Sequence, residues 1–213
     1  MSTDTFDEPA ASGEDRPEAN RNRRNFLVGA TVTIGGAGAV GAAVPFVRSW
    51  LPSARARAAG APVTLDISKL RPGEILGPIP AWRGKPVFVV KRDEAAVEHL
   101  KEENDSLADE NSDNLEMQPD YARNPWRSKR PDIGVYLGLC THLGCSPKYH
   151  GAIRPEPFDP NWQGGFFCPC HGSRFDLAGR VVKAVPAPDN LEVPPYRFVS
   201  DSVIVIGEDE ETA

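Results

Sequence analysis

The sequence has no basic face. Its 24 Lys and Arg are outnumbered by 30 Asp and Glu, giving a net charge of -6, and no basic stretch is interleaved with aromatics, so nucleic-acid phosphate is not the expected partner. Much of the acidity sits in 4–18 and 208–211, where it describes solvated tails. Large apolar side chains are almost missing from residues 1–20. That stretch cannot offset the entropy of ordering its chain, and it is expected to be disordered. Long apolar runs are missing as well, with one exception at 26–47. Elsewhere 21 Pro and 19 Gly cut the chain into short pieces, which favours a small mainly β fold with many turns over a helical one. A length of 213 residues allows one or two domains with a modest core.

Thiols are few and concentrated. All four cysteines, and two of the four histidines, fall in Cys140-Thr-His-Leu-Gly-Cys145 and Cys168-Pro-Cys-His-Gly-Ser173. Such clustering is most simply read as one inorganic site built from two loops. The patterns C-x-H and C-x2-H offer two thiolates and two imidazoles. Zinc can use that set, and so can a two-iron, two-sulfur cluster that holds one iron by sulfur and the other by nitrogen.

Both runs resemble the cluster-binding boxes of Rieske iron-sulfur proteins, specifically the disulfide-containing subunit of quinol:cytochrome c oxidoreductases, the cytochrome bc complexes. The resemblance implies a 2Fe-2S cluster of Rieske type, one per subunit, with Cys140 and Cys168 on one iron and His142 and His171 on the other. It implies a disulfide between Cys145 and Cys170. It makes His171 the residue that hydrogen-bonds a quinol and takes its proton, and Ser173 a donor to a cluster sulfur. Phe175 stands where many members have a donating tyrosine, so a lower midpoint potential is expected here. Leu143 corresponds to an exposed apolar contact near the quinol site, with a plain core leucine as the competing reading. Pro186-Ala-Pro188 resembles the loop that covers the cluster, although its usual leading glycine is Val185 here. Trp82-Arg-Gly-Lys-Pro86 looks like the family's turn into its next strand.

The charge-free run 26–47 is about the length needed to cross a bilayer as a helix. It follows Arg21-Asn-Arg23-Arg24-Asn-Phe26-Leu27, whose twin arginines resemble a twin-arginine export signal, with Asn22 as the polar residue before them. Read more simply, the arginines are a positive-inside flank. Either way the N-terminus stays in the cytoplasm and the rest lies outside. The run 53–60 contains Ala-Arg-Ala of the kind at which signals are cleaved. The resemblance implies instead that the helix is kept as an anchor.

The expected organisation is a disordered cytoplasmic tail (1–20), a signal and transmembrane anchor (21–50), a flexible hinge linker (51–62), and a head (63–213). The head is expected to be a small antiparallel Rieske-type β-sandwich with an inserted cluster-binding subdomain at about 134–190. Strands are expected at 63–67, 86–90, 133–139, 164–167 and 202–206. Asp93 is expected to cap a helix from Glu94 to about Glu103. Residues 104–131 read as a polar surface insertion without chemistry, and His99 and His150 as solvent-facing histidines outside the site.

The implied activity is that of a subunit of a proton-translocating quinol:cytochrome c oxidoreductase. Its implied partners are a quinol (ubiquinol), cytochrome b and a c-type cytochrome in a dimeric complex of a bacterial inner membrane. Two alternatives stand beside it: the small Rieske subunit of a periplasmic oxidase such as arsenite oxidase, and a zinc-binding membrane module. Rieske oxygenases are disfavoured, because no residues are left for their mononuclear-iron domain.

Overall fold

A computed structural model describes residues 20–54 and 60–209, and of residues 80 and 81 the backbone alone. The expected tail, apart from Asn20, and residues 55–59 of the expected linker lie outside this range. The chain forms two compact units, Met1–Pro52 and Ser53–Ala213.

The first unit is helix α1, Arg21–Ser49. Asn20 caps it by accepting the N–H groups of Asn22 and Arg23 at 3.1 and 3.3 Å, which satisfies two of the donors every helix start leaves unpaired. Inside the apolar run the Thr33 hydroxyl donates back to the Gly29 carbonyl at 2.9 Å, which keeps that hydroxyl paired on an apolar face. At 29 residues the helix is about 43 Å long. That is enough to cross a hydrocarbon core of about 30 Å.

Among its described residues the second unit has nine strands in three antiparallel sheets. In the first, β1 (Val63–Asp66) pairs with β9 (Val203–Ile206), which pairs with β8 (Tyr196–Ser200). The second runs β2 (Ile75–Trp82), β3 (Lys85–Lys91), β4 (Ile133–Leu137), and the third β5 (Lys148–His150), β6 (Gly165–Phe167), β7 (Arg174–Phe175). Residues of all three sheets, among them Val87, Val135, Phe166, Ile204 and Ile206, share one buried core. β3 is central in its sheet, and Val87, Phe88, Val89 and Val90 are all buried. This is why its apolar run does not alternate. The β2–β3 turn places Arg83 (φ 52°) and Gly84 (φ 71°) in the left-handed region, the backbone a two-residue I′ hairpin requires.

Helix α2, Glu94–His99, starts where expected, with Asp93 accepting the Ala96 N–H at 2.8 Å. It ends four residues short of Glu103 because the chain tightens there: Lys101 and Glu102 donate to Glu98 and His99, three residues back. β2, β5, β7 and β8 have no counterpart in the sequence expectation. β2 carries Pro78 and Pro80 yet sits at a sheet edge, the place where a strand tolerates proline.

Segment 104–131 is not a surface insertion. Leu107, Ser112, Gln118, Ala122, Arg127 and Ser128 are buried in it. Arg127 donates to the carbonyls of Leu191 (2.8 Å), Ala178 (3.3 Å) and Met117 (3.3 Å) and to Gln118 Oε1 (2.8 Å). Burial pushes its pKa down to about 10, so the guanidinium stays charged at neutral pH and the carbonyls solvate it in place of water. Arg92 does the same from β3's end, bonding the carbonyls of Leu177, Pro131 and Trp126 and the Tyr136 hydroxyl.

Candidate metal centre

Two strands end in two loops of one design. β4 runs into Cys140, and β6 runs into Cys168. In the first loop the Cys140 N–H donates to the Cys145 carbonyl and the Gly144 N–H to the Cys140 carbonyl, both at 2.8 Å. In the second, the Cys168 N–H donates to the Ser173 carbonyl at 2.8 Å and the Gly172 N–H to the Cys168 carbonyl at 2.9 Å. Gly144 and Gly172 have φ of 77° and 76°. A Cβ at either position would meet nothing within 4 Å, so the left-handed backbone, not crowding, is what calls for glycine.

This design brings the predicted residues together. Cys140 and Cys168 are free thiols, 3% and 2% exposed. The His142 and His171 rings meet edge to face with centroids 4.8 Å apart. His142 is half-buried and His171 exposed. Cys145 and Cys170 form a disulfide with a Cα–Cα distance of 6.6 Å, which clips the first loop to the second. The sulfurs of Cys145, Cys168 and Cys170 lie within 4.8 Å of one another, but two of them are bonded to each other and offer no thiolate. The available donors are therefore Cys140 and Cys168 with the two imidazoles.

That set fits a two-iron, two-sulfur cluster. Burial pushes the Cys140 thiol pKa up; the His142 backbone N–H and the Ser173 hydroxyl lower it, and the adjacent Cys168 thiol raises it. Two buried thiols facing each other ionise readily only with cationic metal beside them. The buried half of the site offers sulfur and the outer half nitrogen, the asymmetry of a cluster with two unlike irons.

Around these donors, Ser173 is fully buried, and its Oγ accepts the Ala187 N–H at 3.1 Å. This bond ties the Pro186-Ala-Pro188 cover to the second loop. The left-handed residue of the cover is Ala184 (φ 58°), not Val185, so the turn is made one residue before the position the family's glycine occupies. Leu143 is 71% exposed, which excludes the core reading. Phe175 is fully buried, pairs with Phe166 across β6–β7, and shares the core with Cys140 and Cys168.

His99 and His150 stay outside the site, His99 Nδ1 lying 3.3 Å from Glu102 Oε2 and His150 Nδ1 3.8 Å from Glu156 Oε2. The sequence reading missed a polar ring behind the cover. Thr141 Oγ1 donates to the Asp189 carbonyl at 2.7 Å, and Asn114 Nδ2 donates to Asp189 Oδ1 at 2.8 Å. Asn190, fully buried, donates to Asp109 and accepts the Val181 N–H. The only local signal was the Asp-Asn pair directly after Pro188.

Comparison with known proteins agrees with this geometry. Residues 115–196 match the Rieske 2Fe-2S domain, and residues 13–53 match the TAT signal of the ubiquinol-cytochrome c reductase Fe-S subunit. The chain is 53% identical over 194 residues to the ubiquinol-cytochrome c reductase iron-sulfur subunit of Allochromatium vinosum, covering 91% of this chain and 92% of that one. It is 43% identical over 189 residues to the Blastochloris viridis subunit of the same name, covering 89% and 94%. For the subunit from Bradyrhizobium diazoefficiens the identity is 38% over 198 residues, covering 92% and 98%.

Proposed function

The chain belongs to the Rieske iron-sulfur subunits of ubiquinol-cytochrome c reductase, and on that premise we propose that it takes electrons from a quinol and passes them to a c-type cytochrome within a respiratory bc complex. The observation that carries the reading is a pair of accessible imidazoles set over two buried, unbridged cysteines. Cys140, Cys168, His142 and His171 hold the cluster, and Ser173 supports it. When bound, the cluster supplies a one-electron acceptor, with the potential of about -150 to +300 mV that two neutral ligands give.

The protein's own residues do the rest. His171 is the more exposed imidazole and sits at the tip of its loop, so it accepts a hydrogen bond from the quinol hydroxyl and takes its proton. Leu143, equally outward, supplies apolar contact to the same partner surface. The Pro186–Pro188 cover, with Ala187 5% exposed, keeps water from the buried sulfurs. Proton release outside the membrane then accompanies each electron, which makes the complex proton-translocating.

Two features of the chain support this placement. Arg21, Arg23 and Arg24 flank the start of α1, which favours a cytoplasmic N-terminus. The disulfide persists in an oxidising compartment, which favours a periplasmic head. Thus 1–20 is the cytoplasmic tail, 21–50 the anchor, 51–62 the tether, and 63–213 the head, with its cluster-binding part at about 134–190. Cytochrome b and a c-type cytochrome are the partners.

Purification from detergent-solubilised membranes tests this. The expected result is a protein with Rieske visible and EPR signals, an intact N-terminus, and b- and c-type haems in the same fraction. A colourless zinc protein, or co-purification with molybdenum in place of haem, would overturn it.

A further inference from the structure

Segment 109–114 reaches across the head to the cover. Asn114 Nδ2 donates to Asp189 Oδ1 at 2.8 Å, and Asn190 Nδ2 donates to the Asp109 carbonyl at 2.9 Å and to Asp109 Oδ2 at 3.2 Å. Two consecutive residues after Pro188 are thus gripped by one segment about 75–80 positions earlier in the chain. The segment is itself braced, because Asp109 Oδ1 accepts the Asp113 N–H at 2.7 Å. From the gripped residues two lines of bonds run to the metal ligands. One goes from the Asp189 carbonyl to the Thr141 hydroxyl at 2.7 Å, between Cys140 and His142. The other goes through Ala187, whose N–H donates to Ser173 Oγ at 3.1 Å. The Ser173 carbonyl in turn accepts the Cys168 N–H at 2.8 Å, and the buried Ser173 hydroxyl stands where the family has a donor to a cluster sulfur.

We propose that Asn114 and Asp189 are positioning residues that hold the cover closed on Ser173 and so raise the electron affinity of the cluster through the Ser173 hydroxyl. A hydroxyl that accepts a good hydrogen bond becomes a better donor, since bonds in a chain polarise one another. A donor to a cluster sulfur stabilises the state with more negative charge, the reduced one. Removing the Asn114 amide leaves the half-buried Asp189 carboxylate without that donor. It turns toward water, the cover loosens, Ala187 leaves Ser173 Oγ, and the hydroxyl becomes a weaker donor. The cluster then holds its electron less well.

This rests on Cys140 being a cluster ligand, as proposed above, and the two ideas fail differently. The measurement is the midpoint potential of the cluster in the purified complex for Asn114→Ala, Ser173→Ala and the double variant. Asn114→Ala lowers the potential by less than Ser173→Ala does, and adds nothing in the Ser173→Ala background. Asp189→Ala reads the same bond from its other side and gives the same shift, which keeps the test open if Asn114→Ala does not take up a cluster. An unchanged potential with reduced stability would overturn the proposal, because it assigns the contact to structure alone. A shift that persists undiminished without the Ser173 hydroxyl, or one upward from water entering the site, would overturn it too. A parent protein with no cluster signal would instead refute the assigned function.

Discussion

The two ligand loops share one backbone and divide the chemistry between them. Each has six residues, opens on a buried free cysteine, and closes through the same pair of backbone hydrogen bonds around a left-handed glycine. They part at four positions, the second being Thr141 in one and Pro169 in the other. The third is His142 in one and Cys170 in the other, the fourth Leu143 against His171, the sixth Cys145 against Ser173. The disulfide runs from the sixth position of the first loop to the third of the second. The free sixth position of the second loop can therefore hold a buried serine, whose Oγ accepts the Ala187 N–H of the cover. Moving histidine from third to fourth place carries the ring from half-buried to exposed. One imidazole is thereby partly shielded and the other open to solvent.

Replacing what the loops share has the largest effect. Cys168→Ser or Cys140→Ser removes the cluster altogether, read as loss of its visible absorption and EPR signal with the folded head retained. Survival of the signal in either variant would mean that the shared first position is not a ligand. Cutting the cross-link comes next. Cys145→Ser with Cys170→Ser opens a disulfide between residues 25 apart, which the chain-entropy model values at about 3.5 kcal/mol. Unfolding by denaturant should show a loss of that order, with the cluster bleaching earlier in the transition. Equal midpoints for parent and variant would show that the closure of each loop suffices alone.

Ser173→Ala tests the sixth position. The Ala187 N–H loses a buried acceptor, a loss of about 1–3 kcal/mol, and the cluster loses a donor, so its midpoint potential falls. The shared glycines follow. Gly144→Ala and Gly172→Ala each place a Cβ at φ near 77° with open space around it, and each should cost about 1–2 kcal/mol. Equal losses in thermal unfolding sharpen the likeness of the loops. A much larger loss at one of them would break it.

Much of this centre was legible because rare residues carried it. Cysteines confined to two short runs pointed to the candidate donors before any fold was known, and strands leading into both runs placed them at loop tips. The loops' common closure was not legible, since backbone hydrogen bonds leave no mark on residue types beyond Gly144 and Gly172. Arg127 misled for another reason: a charged residue reads as surface, and its burial depends on carbonyls of Leu191, Ala178 and Met117 that only the folded chain assembles. Asp189 and Asn114 are 75 positions apart, and nothing local links them. β2 was hidden because Pro78 and Pro80 break its alternation and are tolerated only at a sheet edge, a place the sequence does not reveal.

The smallest expected effect concerns the strand that leaves the second loop. Ser173 and Phe175 are two residues apart and both fully buried, so in an extended chain they face the same side. Phe175 shares the core with both ligand cysteines. A hydroxyl added there by Phe175→Tyr enters a fully buried position. It must find an acceptor or destabilise the head by about 1–3 kcal/mol, and the sulfurs of Cys140 and Cys168 lie in the same core. Phe175→Tyr should therefore raise the midpoint potential in a redox titration while leaving stability nearly unchanged. An unchanged or lower potential, or a loss of stability of the size given for an unpaired hydroxyl, would mean that residue 175 serves only the core and that Ser173 alone tunes the site from this strand.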